Sequence, residues 1–354
     1  MTSRQEQNTG TADVREALRF DTDALHDYMS SHVEGFHGEL AVRQFRGGQS
    51  NPTYLIDADC GQYVLRRKPP GKLLKSAHAV DREYRIISAL YGADFPVPRP
   101  YAYCENPEVI GTEFYLMEFL DGRIFWELDL PNVEPAERSA IYDNANATMC
   151  KLHNFDYVAL GLEDFGKPGN YFERQISRWI KQYRASEIDA VRSMDALIEW
   201  LPDNIPADES ASIVHGDYRL DNMIIHRDSP EVIGVLDWEL STIGHPLADF
   251  TYHLMIWHMP EIGIGSIGLA GKDLDALGIP DADAYTRLYC KRTGRAGIDN
   301  LDFYFAFNLF RLAAILQGIA GRVRDGTAAS AHAAQAVNAV QPLADLGWHF
   351  AGRN

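Results

Sequence analysis

Cysteine is scarce in this chain. Cys60, Cys104, Cys150 and Cys290 are the only four in 354 residues, widely spaced and without a C-x-x-C pair, so neither a zinc site nor a disulfide framework is signalled. Long apolar runs are also missing. No stretch reaches the roughly 18 apolar residues of a membrane span, and the nearest, residues 309–320, carries Arg311 and Gln317 inside it. Residues 1–11 are polar, so no secretory leader is expected. Basic residues are outnumbered, 33 Lys and Arg against 50 Asp and Glu, for a formal net charge of −17. A field of that sign disfavours nucleic acid and anionic membranes as partners. No internal repeat or low-complexity tract is visible. These absences leave an expected cytoplasmic protein of ordinary globular composition, 46% hydrophobic and 23% charged. Its length suits two domains, or one domain of two lobes.

The order of elements is uneven. Residues 1–20 read as a floppy tail. Asp21 or Thr22 can cap a helix through Leu25, Tyr28 and Val33. Short strands are predicted over 41–45 and 53–56 around a polar turn at 46–52, and a third over 62–67. A helix follows over 76–91, with Val80, Ile87 and Leu90 at helical spacing. Pro96, Pro98 and Pro100 interrupt the chain before strands over 101–105 and 113–118. From about residue 131 the pattern turns helical, with helices over 135–153, 172–185 and 193–201 and again from 247. One strand-and-loop island lies at 213–241.

That island holds the densest chemistry. An apolar run ends in His215-Gly216-Asp217-Tyr218-Arg219-Leu220-Asp221-Asn222, and a second strand, 232–236, delivers Asp237-Trp238-Glu239. Phosphoryl transfer needs one carboxylate to take the proton of the attacking hydroxyl. It also needs oxygen ligands for a Mg²⁺ ion that neutralises the phosphates. His215, Asp217 and Asn222 match the kinase catalytic-loop spacing H-x-D-x-x-x-x-N, and Asp237 stands where kinases keep a magnesium aspartate. Two other readings compete. The segment can be an acidic surface loop, or a metallohydrolase site drawing on His215, Asp217, His226, Asp237 and His245.

The string His-Gly-Asp-Tyr-Arg-Leu-Asp-Asn-Met, followed by Val-Leu-Asp-Trp-Glu, resembles the aminoglycoside phosphotransferase and choline kinase superfamily. The closer likeness is to phosphotransferase-like proteins related to the kinase-like domain ahead of some acyl-CoA dehydrogenases. Residues 45–52, 63–70 and 244–249 agree with that subgroup, and the likeness covers about residues 20 to 350. It implies an α+β, bilobal, protein-kinase-like fold with a small β-rich N-lobe over 21–120 and a larger, mostly helical C-lobe over 121–354. It implies ATP between the lobes and Mg²⁺. Asp217 would be the base, Asn222 and Asp237 the metal ligands, and His215 a structural member of the loop. Glu239 would touch a metal-bound water or brace the loop, and Asp249 would tie the following segment back.

The N-terminal third should then hold nucleotide. The turn Gly47-Gly48-Gln49-Ser50-Asn51 is not G-x-G-x-x-G, but it falls where kinases cover the phosphates. Gly48, Ser50 and Asn51 are therefore expected as phosphate contacts. The V-A-I-K pattern puts Arg66 where lysine is usual, and Lys68, two residues on, stays open as the phosphate ligand. Arginine can still grip carboxylate or phosphate bidentately. Glu83 lies on the apolar face of its helix, where an unpaired carboxylate is costly, and an ion pair with Arg66 resolves the cost. Adenine is expected at the backbone around Glu118 and Leu120. The acceptor is a hydroxyl on a small molecule. Arg219 beside the base and Arg311 inside an apolar helix suit an anion such as a hydroxy acid or hydroxyacyl-CoA. An internal ion pair of Arg219 with Asp221 or Asp249 is the plainer alternative. An antibiotic phosphotransferase and a catalytically weak nucleotide-binding module remain the other functional readings. ATP or GTP, and the oligomeric state, are left undecided.

Overall fold

The computed structural model describes residues 4–47, 51–71, 78–260, 268–324 and 332–352. The chain begins α1 (Arg4–Asn8), β1 (Thr11–Ala12), α2 (Thr22–His32), β2 (Leu40–Phe45), β3 (Thr53–Ala58) and β4 (Gly61–Arg67). It continues α3 (Val80–Gly92), β5 (Pro100–Cys104), β6 (Phe114–Glu118), β7 (Gly122–Arg123), α4 (Pro135–His153), α5 (Tyr171–Ser186) and α6 (Arg192–Asp203). After β8 (Ser212–Val214), β9 (Met223–His226), β10 (Val232–Val235) and β11 (Thr242–Gly244) come α7 (Pro246–Leu254), α8 (Leu274–Leu277), α9 (Ala282–Thr293), α10 (Leu301–Arg324) and α11 (His332–Ala351). Two compact units result. One comprises Met1–Trp126, Leu160–Leu162 and Leu220–Ser241, the other Glu127–Ala159, Glu163–Arg219 and Thr242–Asn354.

The first unit is built on a six-stranded antiparallel sheet of order β1-β2-β3-β4-β6-β5. Tyr54 and Ile56 alternate inward from β3, as a half-buried strand requires. Residues 63–67 of β4 are buried on both faces, the mark of a central strand. One face packs on Leu25 and Met29 of α2 and on Val33 just past its end, joined by Tyr54, Leu65 and Phe114. The Asp21 carboxylate caps α2, accepting the N–H groups of Asp23 and Ala24 at 3.0 Å. Helix α3 buries Val80, Ile86, Ile87 and Leu90 and packs on β5 and β6. The first 20 residues are not a floppy tail in the described part. β1 pairs with β2 in the register Thr11↔Phe45, and the Gln5 amide donates to Ile124 O at 2.8 Å. Backbone pairing orders this segment together with its few apolar side chains, Val14 and Phe20, which pack on the core.

Residues 220–241, grouped from sequence with the C-terminal region, are part of this first unit. Val235 N–H donates to Pro96 O at 2.8 Å, and the Trp238 ring meets Phe95 edge-on. A three-stranded sheet, β10-β9-β7, completes it. A Cβ at Gly122 would lie 2.5 Å from Ile224 Cγ2 and 2.6 Å from Ile225 O, so only glycine fits that crossing.

The second unit is helical. Its strands β8 and β11 pair in the register Thr242↔Val214. Helix α10 packs against α5, α6, α7 and α11. Residues Leu301–Gly321 are long and apolar enough to cross a membrane by composition, with mean hydropathy 1.4, but 78% of that window is buried inside the protein. This makes α10 the core helix of the unit. One sheet-bearing unit and one helical unit make the α+β class implied from the sequence.

Candidate active site

In the first unit the chemistry gathers around Arg66. Register pairs it with Thr53 on β3 and Tyr115 on β6. Its Nε lies 2.8 Å from Glu83 Oε2, its Nη2 donates to Asp237 Oδ1, and Glu239 Oε2 is 4.0 Å away. Glu83 is fully buried. It also accepts from Tyr115 OH at 3.0 Å and from Asn51 Nδ2 at 2.8 Å, which offsets part of the cost of its burial, though burial still holds its carboxyl above the ordinary value. Burial works against the charge on Arg66, but Glu83 and Asp237 outweigh it and hold the guanidinium pKa above its ordinary value.

Asp237 sits at φ 65°, ψ 58°, a left-handed conformation uncommon outside glycine. It heads a 3₁₀ turn, Trp238–Leu240, that the buried Trp238 anchors by donating from Nε1 to Val235 O at 2.9 Å. Asn222 closes the turn Leu220–Asn222, and its carbonyl accepts Leu236 N–H at 2.8 Å, which sets the amide beside the Asp237 strand end. Asn222, Asp237 and Glu239 are half-buried and present oxygen donors only. That chemistry fits Mg²⁺, which takes one or two carboxylates and completes its shell with phosphate and water.

Several expected contacts differ. Lys68 lies one residue past β4, where its Nζ pairs with Glu113 at 2.7 Å. Tyr103 OH donates to the same oxygen at 2.8 Å. Arg66, not Lys68, therefore joins the carboxylates. Asn51 is wholly buried and turned toward Glu83, not outward as a phosphate donor. Gly48 and Ser50 fall outside the described residues. The Glu118 N–H is already donated to Arg99 O at 2.8 Å, and its carboxylate accepts Arg99 N–H at 3.1 Å. Adenine thus cannot take that N–H while the pairing lasts. Leu120 is half-buried and its Cδ1 lies over Gly234, 2.5 Å from where a Cβ would stand.

In the second unit Asp217 is half-buried. Its Oδ1 accepts Tyr252 OH at 2.7 Å and lies 3.6 Å from Arg219 Nε. Burial opposes its charge, but Arg219, the Tyr252 hydroxyl, His215 and Arg311 together hold the carboxyl below its ordinary value. The loop backbone is gripped from two sides. Buried Asp249 accepts the N–H groups of His215 and Gly216 at 2.7 and 2.9 Å, and Arg311 Nη2 donates to Gly216 O at 2.7 Å. Gly216 has φ 85°, which a side chain would strain. His215 is buried, and its Nδ1 accepts the Asp217 N–H at 3.2 Å.

Arg219 lies within ion-pair distance of Asp217, an internal carboxylate other than the two weighed from the sequence. Arg311 binds a carbonyl and lies over the Tyr252 ring, 5.1 Å from its centroid, so it braces the loop. Arg292 pairs with Asp143 at 2.8 Å and Arg295 with Asp208 at 3.4 Å. The histidines of the hydrolase reading are engaged elsewhere. His226 Nδ1 accepts Asp228 N–H, and His245 caps α7 at Leu247 N–H. Among the described residues no cluster of three His, Cys, Asp or Glu could hold a metal ion. Tyr115 and Tyr252 were missed. Tyr252 stands three residues after Asp249 on α7, one helical turn on, and that spacing was the only signal.

Comparison with known proteins places the chain in a family. The profile of the phosphotransferase enzyme family matches residues 41–264. The chain is 45% identical over 343 residues to mouse acyl-CoA dehydrogenase family member 10, covering 96% of this chain and 32% of that protein. It is 41% identical over 349 residues to rat acyl-CoA dehydrogenase family member 11, covering 97% and 45%. The chain thus spans less than half the length of these curated relatives, 32% of one and 45% of the other. A crystal structure from Ralstonia eutropha JMP134, described as a candidate aminoglycoside phosphotransferase, shares 52% identity, covers 95% of this chain and 99% of that one, and has a TM-score of 0.87.

Proposed function

The chain belongs to the phosphotransferase enzyme family, and from that premise we propose that it is an ATP-dependent small-molecule kinase that phosphorylates the hydroxyl of a hydroxy acid or hydroxyacyl-CoA. The observation that carries this reading is the set on Arg66, a buried cation held between a helix carboxylate and the carboxylate of the second strand. A structural ion pair needs one partner. A cation shared by Glu83 and Asp237 suits a site where phosphates and a divalent ion arrive.

In this reading Asp217 accepts the proton of the substrate hydroxyl as that oxygen bonds to the γ-phosphorus. The bond from γ-phosphorus to the bridging oxygen breaks, and the electrons leave with the nucleoside diphosphate. Tyr252 and Arg219 keep Asp217 ionised and aimed. Asp249 and Arg311 hold the loop that carries it. Arg66 meets the nucleotide phosphates. Asn222 and Asp237, with Glu239 beside them, would hold Mg²⁺, whose charge would neutralise the transferring phosphates. The acyl-CoA dehydrogenase names of the relatives support the acyl-CoA part of the proposal. The name of the Ralstonia structure supports an antibiotic acceptor as the second reading. Four free cysteines suit a reducing compartment, and a cytoplasmic setting is part of the proposal.

The test is a phosphorylation assay with Mg·ATP and Mg·GTP against hydroxy acids, hydroxyacyl-CoAs and aminoglycosides. Turnover of the anionic acceptors is expected, with Asp217→Asn losing about 10² to 10⁴ of the rate. Turnover of the cationic drugs alone would overturn the acceptor class. An unchanged rate in Asp217→Asn would overturn the mechanism.

A further inference from the structure

Asn51 ends the polar turn expected to touch phosphate, but its side chain is turned inward. It is 0% exposed. Its Nδ2 donates to Glu83 Oε1 at 2.8 Å. Its Oδ1 lies 2.9 Å from His78 Nδ1, and its carbonyl accepts Thr53 Oγ1 at 3.0 Å. The amide orientation follows from chemistry. A flipped amide would set its oxygen against the Glu83 carboxylate, so Oδ1 faces His78 and His78 Nδ1 carries the proton.

These contacts close a ring. Asn51 holds Glu83, Glu83 forms an ion pair with the Arg66 guanidinium at Nε, Arg66 Nη1 reaches Thr53 Oγ1 at 3.5 Å, and Thr53 returns to the Asn51 carbonyl. A further arm runs through His78, two residues ahead of α3. His78 has φ 63°, a conformation that costs a non-glycine residue energy and persists where its surroundings enforce it. Asn51 thus ties three pieces of the first unit to one cation: the strand entry at β3, the approach to α3, and the carboxylate of α3 itself.

We propose that Asn51 is a positioning residue that orients the Arg66 guanidinium through Glu83, without touching the nucleotide. The inference rests on the kinase reading for Arg66 as the phosphate-binding cation. Loss of the Asn51 amide frees one Glu83 oxygen to turn, and Arg66 turns with it.

The test is a double-mutant cycle read by calorimetric titration of the whole chain with Mg·ADP. Asn51→Ala is expected to weaken binding about 10-fold, the worth of a hydrogen bond to a buried charge. Glu83→Gln should weaken it at least as much, and the double variant should bind no worse than Glu83→Gln alone. Multiplying effects would mean that Asn51 meets phosphate directly, and full affinity in Asn51→Ala would make it merely structural. Either result overturns the proposal. Where Asn51→Ala fails to fold by circular dichroism, Asn51→Ser takes its place in the cycle with the same outcomes. A wild-type chain that binds no Mg·ADP overturns the kinase reading, and this inference with it. An additive cycle on a binding wild type overturns this inference alone.

Discussion

Asp217 faces opposed influences from its own unit: burial favours the neutral acid, whereas Arg219, the Tyr252 hydroxyl, His215 and Arg311 favour the anion. Removing the hydroxyl in Tyr252→Phe takes away one of the four that keep it ionised, so its pKa should climb. A base that must be unprotonated then loses activity from a higher pH downward. The acid limb of the kcat/KM profile should move up by about one unit, the value of a hydrogen bond to a charged group, with the alkaline side unchanged. An acid limb that stays put would exclude the Tyr252 contact from the chemistry. Residues such as Asp217, Asn222 and Asp237 were legible because their spacing along the chain is itself the signal. Tyr252 and Tyr115 were not, because each bonds a carboxylate far away in sequence. Asn51 was read in the wrong direction for a related reason. A polar residue in a glycine turn looks solvent-facing until a buried carboxylate is found behind it.

Helix α7 shows what a short element contributes. All nine of its residues are buried, and His253 on it is neutral by construction. One ring nitrogen, Nδ1, meets the Tyr218 carbonyl at 3.1 Å, and the other, Nε2, meets the Tyr285 hydroxyl at 3.0 Å. Burial pushes its pKa down to about 4, and does the same to His245 at the helix head against the pull of Asp208. Unfolded histidines take up protons below about pH 6.5. Between that value and about 4 the unfolded chain binds more protons than the folded one, so stability falls as pH falls through the window. Each group is worth roughly 3 kcal/mol at most. Denaturant unfolding at pH 7 and pH 5 should show this loss, and His253→Gln should reduce it by about half while being less stable at pH 7. An equal pH slope in the variant would refute the assignment. Elements of this kind were largely foreseeable. The strands at 40–45, 53–58 and 61–67 and the helix Pro135–His153 follow from alternation and helical spacing. The β1 edge strand did not, since two residues of backbone pairing leave no hydrophobic pattern.

At the scale of the molecule, the first unit is assembled from three stretches of chain. The last of them carries Asn222 and Asp237, so the partner of Arg66 arrives more than 90 residues after the rest of the sheet is complete. A fragment ending at Trp126 keeps the six-stranded sheet but lacks Asp237, β9 and β10. It should neither melt cooperatively by circular dichroism nor bind Mg·ADP, whereas the full chain should be stabilised by about 2.7 kcal/mol at nucleotide concentrations 100 times its Kd. Cooperative melting with retained binding in the fragment would contradict this dependence. The net charge of −17 acts at the same scale, against nucleic acid and anionic surfaces. Each unit departs from that sign locally, the first at Arg66 and the second at Arg219 and Arg311.

The guanidinium of Arg66 also decides which reagents can find this protein. Nucleotides that carry an amine-reactive acyl group need a lysine ε-amine at the phosphates. Arg66 stays protonated and offers no electron pair at neutral pH, and the Lys68 amine is ion-paired at Glu113. An amine-directed label would not take residue 66, and a dicarbonyl that condenses with guanidinium groups is the reagent it calls for.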